Sequence, residues 1–167
     1  NGSNWVLMNK ITEATGAAND FFVRCVSISG NYAIVGAYAD DIGANANQGS
    51  ASIYQYNGSS WVLMQQITDA SGAVNDNFGF SVSISGNYAI VGANLKNVGA
   101  NVFQGSATIY QRVGLAWLKL QYITDPAGIV SDQFGYTTAI DGTNKRFLIG
   151  VPNYAGNSGK TVFGKVN

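Results

Sequence analysis

Histidine is missing altogether. That absence removes histidine-dependent triads, imidazole acid–base work and histidine metal ligands in one step. Cysteine is nearly missing too: Cys25 is alone, so no disulfide closes within the chain. It takes the place of Ser81 one repeat on, inside a core strand with no basic partner nearby, and reads as a buried inert thiol. Charged residues are scarce, 11% of 167, and balanced, nine basic against nine acidic. A net charge of zero lacks the electrostatic footprint of a protein that binds nucleic acid or an anionic membrane. No apolar run approaches the roughly 18–20 residues of a membrane span, and no signal peptide is visible. The chain opens on Asn1 without a methionine, which points to a processed product or a piece of a longer protein.

What the chain does have is apolar mass and repetition. Hydrophobic residues make up 46%, the composition of a globular chain and not of a disordered one. The stretch Phe78 to Ala93, FGFSVSISGNYAIVGA, organises the rest. Val82 and Ile84 alternate with Ser81 and Ser83, a period of two that predicts a strand over Phe78–Ser85. Ser85-Gly86-Asn87 predicts a tight turn, and the almost wholly apolar Tyr88–Ala93 predicts a strand covered on both faces. Residues 21–37 read FFVRCVSISGNYAIVGA, and a weaker copy, FGYTTAIDGTNKRFLIGV, occupies 134–151. Trp5, Trp61 and Trp117 recur every 56 residues, as do Asp20, Asp76 and Asp132. The chain therefore divides into repeats 1–56, 57–112 and 113–167 of a single segment.

Each repeat supplies four strand-like runs. In the second they are Trp61–Thr68, Phe78–Ser85, Tyr88–Ala93 and Ser106–Gln111, joined by turn-rich connections. Asn57-Gly58, set between two such runs, predicts a two-residue type I′ hairpin. Three units of this kind give twelve strands and no helix. Repeats of roughly 40 to 60 residues with four strands each are the signature of propeller blades. A two-sheet sandwich is the alternative, although it does not itself call for a 56-residue period. The third repeat departs from the others, with two extra residues in its short turn, a shorter loop over Pro152–Ser158 and a closing strand over Lys160–Val166.

Asp76-Asn77-Phe78-Gly79, Val91-Gly92-Ala93 and Gly105-Ser106-Ala107 together resemble the FG-GAP repeat, the blade unit of integrin α-subunit propellers and of many bacterial surface and secreted proteins. The first repeat keeps Val35-Gly36-Ala37 and Gly49-Ser50-Ala51 but has Phe22-Val23 where Phe-Gly is expected. The third has Phe134-Gly135 and Gly150-Val151-Pro152. The resemblance implies an all-β β-propeller of four-stranded antiparallel blades, with the Phe-Gly strand innermost and the Trp strand outermost. Three blades per chain then make half of a six-bladed ring or a fragment of a larger propeller. On this order Trp5–Thr12 is an outer strand with nothing before it, and the last blade lacks an outer strand. A homodimer would complete the ring by exchanging Trp5–Thr12 into the partner's last blade. The implied location is extracellular or at the cell surface.

Many such repeats resemble calcium loops of Asp-x-Asp-x-Asp-Gly type. Here Ser29-Gly30-Asn31 and Ser85-Gly86-Asn87 hold no carboxylate, and Asp141-Gly142-Thr143-Asn144 holds one. Calcium takes about six to eight oxygen ligands, so no metal is expected, and no cofactor either. Asp20, Asp76 and Asp132 form either a ring of carboxylates on one face or turns in which each side chain bonds backbone N–H groups. Asp40 and Asp41 form a carboxylate pair whose counterparts are Lys96 and Asn97, so a solvated loop is the reading over a paired-acid hydrolase. The long loops also place Asn45, Asn47, Asn97, Asn101, Phe103, Tyr154 and Asn157 where amides beside exposed rings suit sugar hydroxyls and apolar sugar faces. The three tryptophans are sugar platforms or core wedges, the wedge being the favoured reading. Asn1 and Asn57 head Asn-Gly-Ser sequons. No nucleophile–base pair recurs, so the expected role is non-enzymatic binding. A carbohydrate-binding, lectin-like module comes first, and an integrin-like protein–protein adhesion or scaffold module second.

Overall fold

The computed structural model describes residue 4, residues 6–12 and residues 16–167. Period-two alternation produces strands where the sequence places them. β1 (Phe22–Ser29), β2 (Tyr32–Ala37), β3 (Ser50–Tyr56) and β4 (Trp61–Ile67) form a four-stranded sheet in chain order. β5 (Phe78–Ser85), β6 (Tyr88–Ala93), β7 (Ser106–Val113) and β8 (Ala116–Ile123) form the second. β9 (Thr137–Asp141), β10 (Arg146–Val151) and β11 (Lys160–Lys165) form a three-stranded third sheet. Every described pairing is antiparallel within these sheets. The Trp strands that open the second and third repeats, β4 and β8, each close the sheet begun by the repeat before, the offset stacking of an all-β, propeller-like fold.

The Phe-Gly pair explains how sheets meet. In β5 the pairing skips from Phe78↔Ala93 to Ser81↔Gly92, a bulge that holds Gly79 at φ 91°. A Cβ on Gly79 would stand 2.0 Å from the carbonyl oxygen of Ser50 in the first sheet, so only glycine fits. Phe78 and Phe134 fill the two junctions at 1% and 0% exposure. Each buried ring contributes roughly 1.5–3 kcal/mol. One core joins the first two sheets through Ile34, Ile53, Val82, Ile84 and Trp117. A second joins the last two through Ile90, Ile109, Phe134, Ile140 and Ile149. Trp117 is thus a wedge at 1% exposure, while Trp61 is half-buried against Tyr56.

Polar ties repeat from junction to junction. Ile84 N–H donates to Ser27 Oγ at 3.1 Å, and Ile140 N–H to Ser83 Oγ at 3.2 Å. The Gln65 amide clamps the backbone of Trp117, accepting from its N–H at 2.8 Å and donating to its carbonyl at 3.0 Å. Asn9 makes the same two bonds to Trp61, both at 3.4 Å. Residues 6–12 therefore lie where an outer strand would lie. They form no strand, because no sheet edge pairs with them, and this corrects the expected strand over Trp5–Thr12; Trp5 itself is outside the described residues.

Three further expectations change. Among the described residues there are eleven strands, not twelve, and one helical turn, α1 (Tyr154–Asn157), with Ala155 and Gly156 in the left-handed region. The Asn57-Gly58 hairpin is a four-residue loop, not a type I′ turn. The Asn57 carboxamide accepts from Ser59 N–H at 3.0 Å and Ser60 N–H at 2.9 Å, which builds the wider loop. Gly30 and Gly86 have φ of 55° and 58° while the following asparagines do not turn positive, the type II′ pattern.

Candidate binding groove

The β2–β3 loop of the first sheet lies against the segment that leads into β5, and a backbone ladder joins them. Asn75 N–H donates to Ala46 O at 2.9 Å, Asn77 N–H to Asn47 O at 3.2 Å and Phe78 N–H to Gln48 O at 2.8 Å. One repeat on, Ser131, Gln133 and Phe134 make the same three bonds to Val102, Phe103 and Gln104, at 2.9, 3.1 and 2.7 Å. The ladder holds alternate residues left-handed: Asn47, Asn75 and Asn77 have φ of 52°, 63° and 57°. Asparagine tolerates this region, whereas a bulky ring does not. Yet Phe21, the counterpart of Asn77, has φ 50°, and Phe103, the counterpart of Asn47, has φ 56°.

Phe21, Tyr38, Asn47, Asn75, Asn77 and Phe103 line one open groove of about 390 Å3 between the first and second sheets. Phe21 and Phe103 are 55% and 40% exposed. Phe21 stacks on Tyr38 with ring centres 5.2 Å apart, Tyr38 meets Phe80 edge-on at 5.4 Å, and Phe80 tilts against Tyr136 at 4.9 Å. The Arg24 guanidinium covers Phe80 at 4.8 Å. A row of aromatic rings thus runs from the groove along the inner strands. Its chemistry is that of recognition: apolar faces, a cation and amides, held by a rigid backbone ladder.

Two of the residues expected at a site, Asn47 and Phe103, meet in this groove. The Asn47 amide donates to Asn75 Oδ1 at 2.9 Å. The others do structural work or lie elsewhere. Asp41 Oδ1 accepts from Asn47 N–H at 2.8 Å, and Asn97 Oδ1 accepts from Phe103 N–H at 2.9 Å. Asn45 donates to Gln48 Oε1 and Gly72 O at 2.8 and 3.2 Å, and Asn101 repeats this with Gln104 and Gly128 at 2.8 and 3.0 Å. Tyr154 and Asn157 sit in α1 on the third sheet, where Lys160 Nζ lies 3.9 Å from the Tyr154 ring centre. Phe21, Tyr38, Asn75 and Asn77 were missed. Their signal was the substitution of Phe21 for Asn77 in otherwise parallel repeats.

Asp40 is not in a solvated loop, as its neighbours in sequence suggested. It is 8% exposed and accepts from Gln66 Nε2 at 3.1 Å. Burial pushes its carboxyl up against the opposing Ser50 hydroxyl, and the charges of Asp20 and Asp41 add to the rise. Its counterpart Lys96 is equally buried but forms ion pairs with Asp69 at 3.0 Å and Asp76 at 2.7 Å. Burial alone would raise the Asp69 carboxyl, yet the Ser71 N–H and the Lys96 ammonium hold it below the usual range. Lys160 pairs with Asp125 in the third repeat. Asp20, Asp76 and Asp132 are buried, and each accepts the backbone N–H three residues earlier, from Ala17, Ala73 and Ile129. Asp141 is occupied by the N–H groups of Thr143 and Asn144 at 3.0 and 3.3 Å. Among the described residues no group of three or more Cys, Asp or Glu is placed to hold a metal ion.

A model of the FG-GAP repeat matches residues 5–54 and again residues 61–110, together more than half of the chain. Curated proteins offer no match.

Proposed function

This chain belongs to the FG-GAP repeat family, and we propose that it is a non-enzymatic recognition module whose groove between the first and second sheets takes a partner protein. The observation that supports this is the pair of exposed rings, Phe21 and Phe103, held left-handed at places where the sister repeats carry asparagine or glutamine. Strain of this kind costs roughly 1–3 kcal/mol per residue and persists where a site uses it. Integrin-like protein–protein binding is the role that FG-GAP repeats suggest. The location proposed with it is extracellular or cell-surface, where such repeats are typical. The described residues contain no helix long and apolar enough to cross a membrane.

The test compares the native chain with a Phe21→Asn, Phe103→Asn double variant in affinity capture against surface and secreted proteins of the source cells. The variant should melt no lower than the native chain and lose the captured partner. A partner held equally by both proteins would sink the groove reading. A second reading is carbohydrate binding, favoured by the three amides of Asn47, Asn75 and Asn77 beside three rings. A glycan array decides it: signal abolished by Tyr38→Ala supports a sugar site, and a blank array removes it.

A further inference from the structure

We propose that Asn57-Gly58 is a site of self-modification, at which the chain attacks its own Asn57 carboxamide and releases ammonia. The pair lies at the tip of the β3–β4 hairpin. Asn57, Gly58 and Ser59 are exposed, and a Cβ built on Gly58 meets no atom within 4 Å. The β7–β8 tip, one repeat on, is equally open: Gly114 has the same free space, and Leu115 is 82% exposed. The second sheet packs between the first and the third, and its tip still stands in solvent. Openness therefore belongs to the hairpin.

Three donors converge on the Asn57 carboxamide oxygen. Ser59 N–H donates to Oδ1 at 3.0 Å, Ser60 N–H at 2.9 Å and the Ser59 hydroxyl at 3.0 Å. These are the distances of an oxyanion hole, whose donors, fixed in advance, stabilise charge as it develops on oxygen. Asn57 N–H donates to Ser60 O at 3.1 Å and the Tyr56 hydroxyl to Gly58 O at 2.8 Å, which holds the loop in this shape. The nucleophile is Gly58 N. Among the described residues neither the Gly58 N–H nor the Asn57 Nδ2 amide has an acceptor, so the attacking and leaving nitrogens are both free.

The step balances with water alone. Gly58 N gives its proton to water and bonds to Asn57 Cγ, and the electron pair moves onto Oδ1 beneath its donors. As the carbonyl re-forms, the Cγ–Nδ2 bond breaks, and Nδ2 takes a proton from water and leaves as ammonia. The cyclic succinimide then adds water at either carbonyl carbon. One opening gives aspartate; the other gives an isoaspartyl linkage, in which the backbone runs through the side chain. Either product places a new carboxylate on a chain whose formal net charge is zero.

Asp141-Gly142 supplies an internal control. Asp141 Oδ1 accepts from Thr143 N–H at 3.0 Å and Asn144 N–H at 3.3 Å, a similar cap. The Asn144 side-chain amide and N–H, however, hold its carboxyl below the usual range, and an ionised carboxylate resists attack. Gly142 is also packed, since a Cβ there would stand 2.1 Å from Ser85 O. Asn1-Gly2, the other Asn-Gly pair of the sequence, lies outside the described residues.

Peptide mapping by mass spectrometry, on the native chain aged at neutral pH, tests this. The peptide holding Asn57 should show the mass gain of an amide-to-acid change together with isoaspartate, and Asp141 should show none. Ser59→Ala, at an exposed position, should keep the native circular dichroism spectrum and age about fivefold more slowly, the effect of losing one hydrogen bond. In denaturant the two proteins should age alike, because only the fold assembles the donors. An Asn57 amide that survives in the folded chain while the denatured chain loses its own overturns the proposal. So does a folded Ser59→Ala variant that ages at the native rate, since the donors would then contribute nothing. Isoaspartate at Asp141 to the same extent also overturns it, because the glycine alone would then decide.

Discussion

Val23 holds φ 75° in a position that Gly79 and Gly135 occupy at 91° and 89°. A β-branched residue there is strained, and Val23→Gly is expected to raise stability by about 1–2 kcal/mol, read as a higher Tm. This departure was legible in the repeat alignment, but its left-handed backbone was not, because a sequence does not print φ. Lys96 was harder to read. Opposite Asp40 in the alignment it passed for a loop residue, and only the fold brings Asp69 and Asp76 beneath its ammonium. Lys96→Met leaves the buried Asp76 carboxylate without its cation and Asp69 with only the half-exposed Lys119 ammonium at 3.8 Å, and should cost about 3–5 kcal/mol in denaturant unfolding. The pH dependence has two opposed parts. Asp69 and Asp125 are lowered in the fold, so their contribution is complete above the unfolded value of 3.8 and disappears as pH falls through the folded values. Asp40 is raised, so it weakens the fold at neutral pH, and protonation relieves it as pH falls toward 3.8. Asp40→Asn is expected to raise stability at pH 7, a gain that shrinks on acidification and is read as a higher urea midpoint at pH 7 than at pH 4.

At the scale of the element, the strands themselves were the most legible part of the molecule. Phe78–Ser85 and Tyr88–Ala93 stand as read, because alternation and a Gly-Asn turn leave the backbone few choices. The loops were less so. Asn45 and Asn101 looked available to a ligand, but each bridges two loops whose approach no local pattern encodes. The junction between sheets depends on glycine for closeness, and this gives a sharp expectation. Gly79→Ala places a methyl group 2.0 Å from Ser50 O on a backbone at φ 91°. It should cost about 3 kcal/mol, seen as a lower urea midpoint with the slope retained. Gly58→Ala serves as the comparison, since no atom lies within 4 Å of its added Cβ. It carries a φ of 101° and should show the cost of backbone strain alone.

At the scale of the whole molecule, the same six letters appear in two environments. β2 and β6 both read YAIVGA. β6 is buried along its whole length between neighbours on either side, while β2, among the described residues, meets one neighbouring sheet and keeps partly open positions. Intrinsic chemistry and local sequence are equal, so any difference in amide hydrogen exchange between them measures neighbour coupling alone. Matched amides, Ala33 against Ala89 and Val35 against Val91, are expected to exchange faster in β2, because those positions are only half-buried there and fully buried in β6. The chain carries its own internal control for reading cooperativity, with no mutation required.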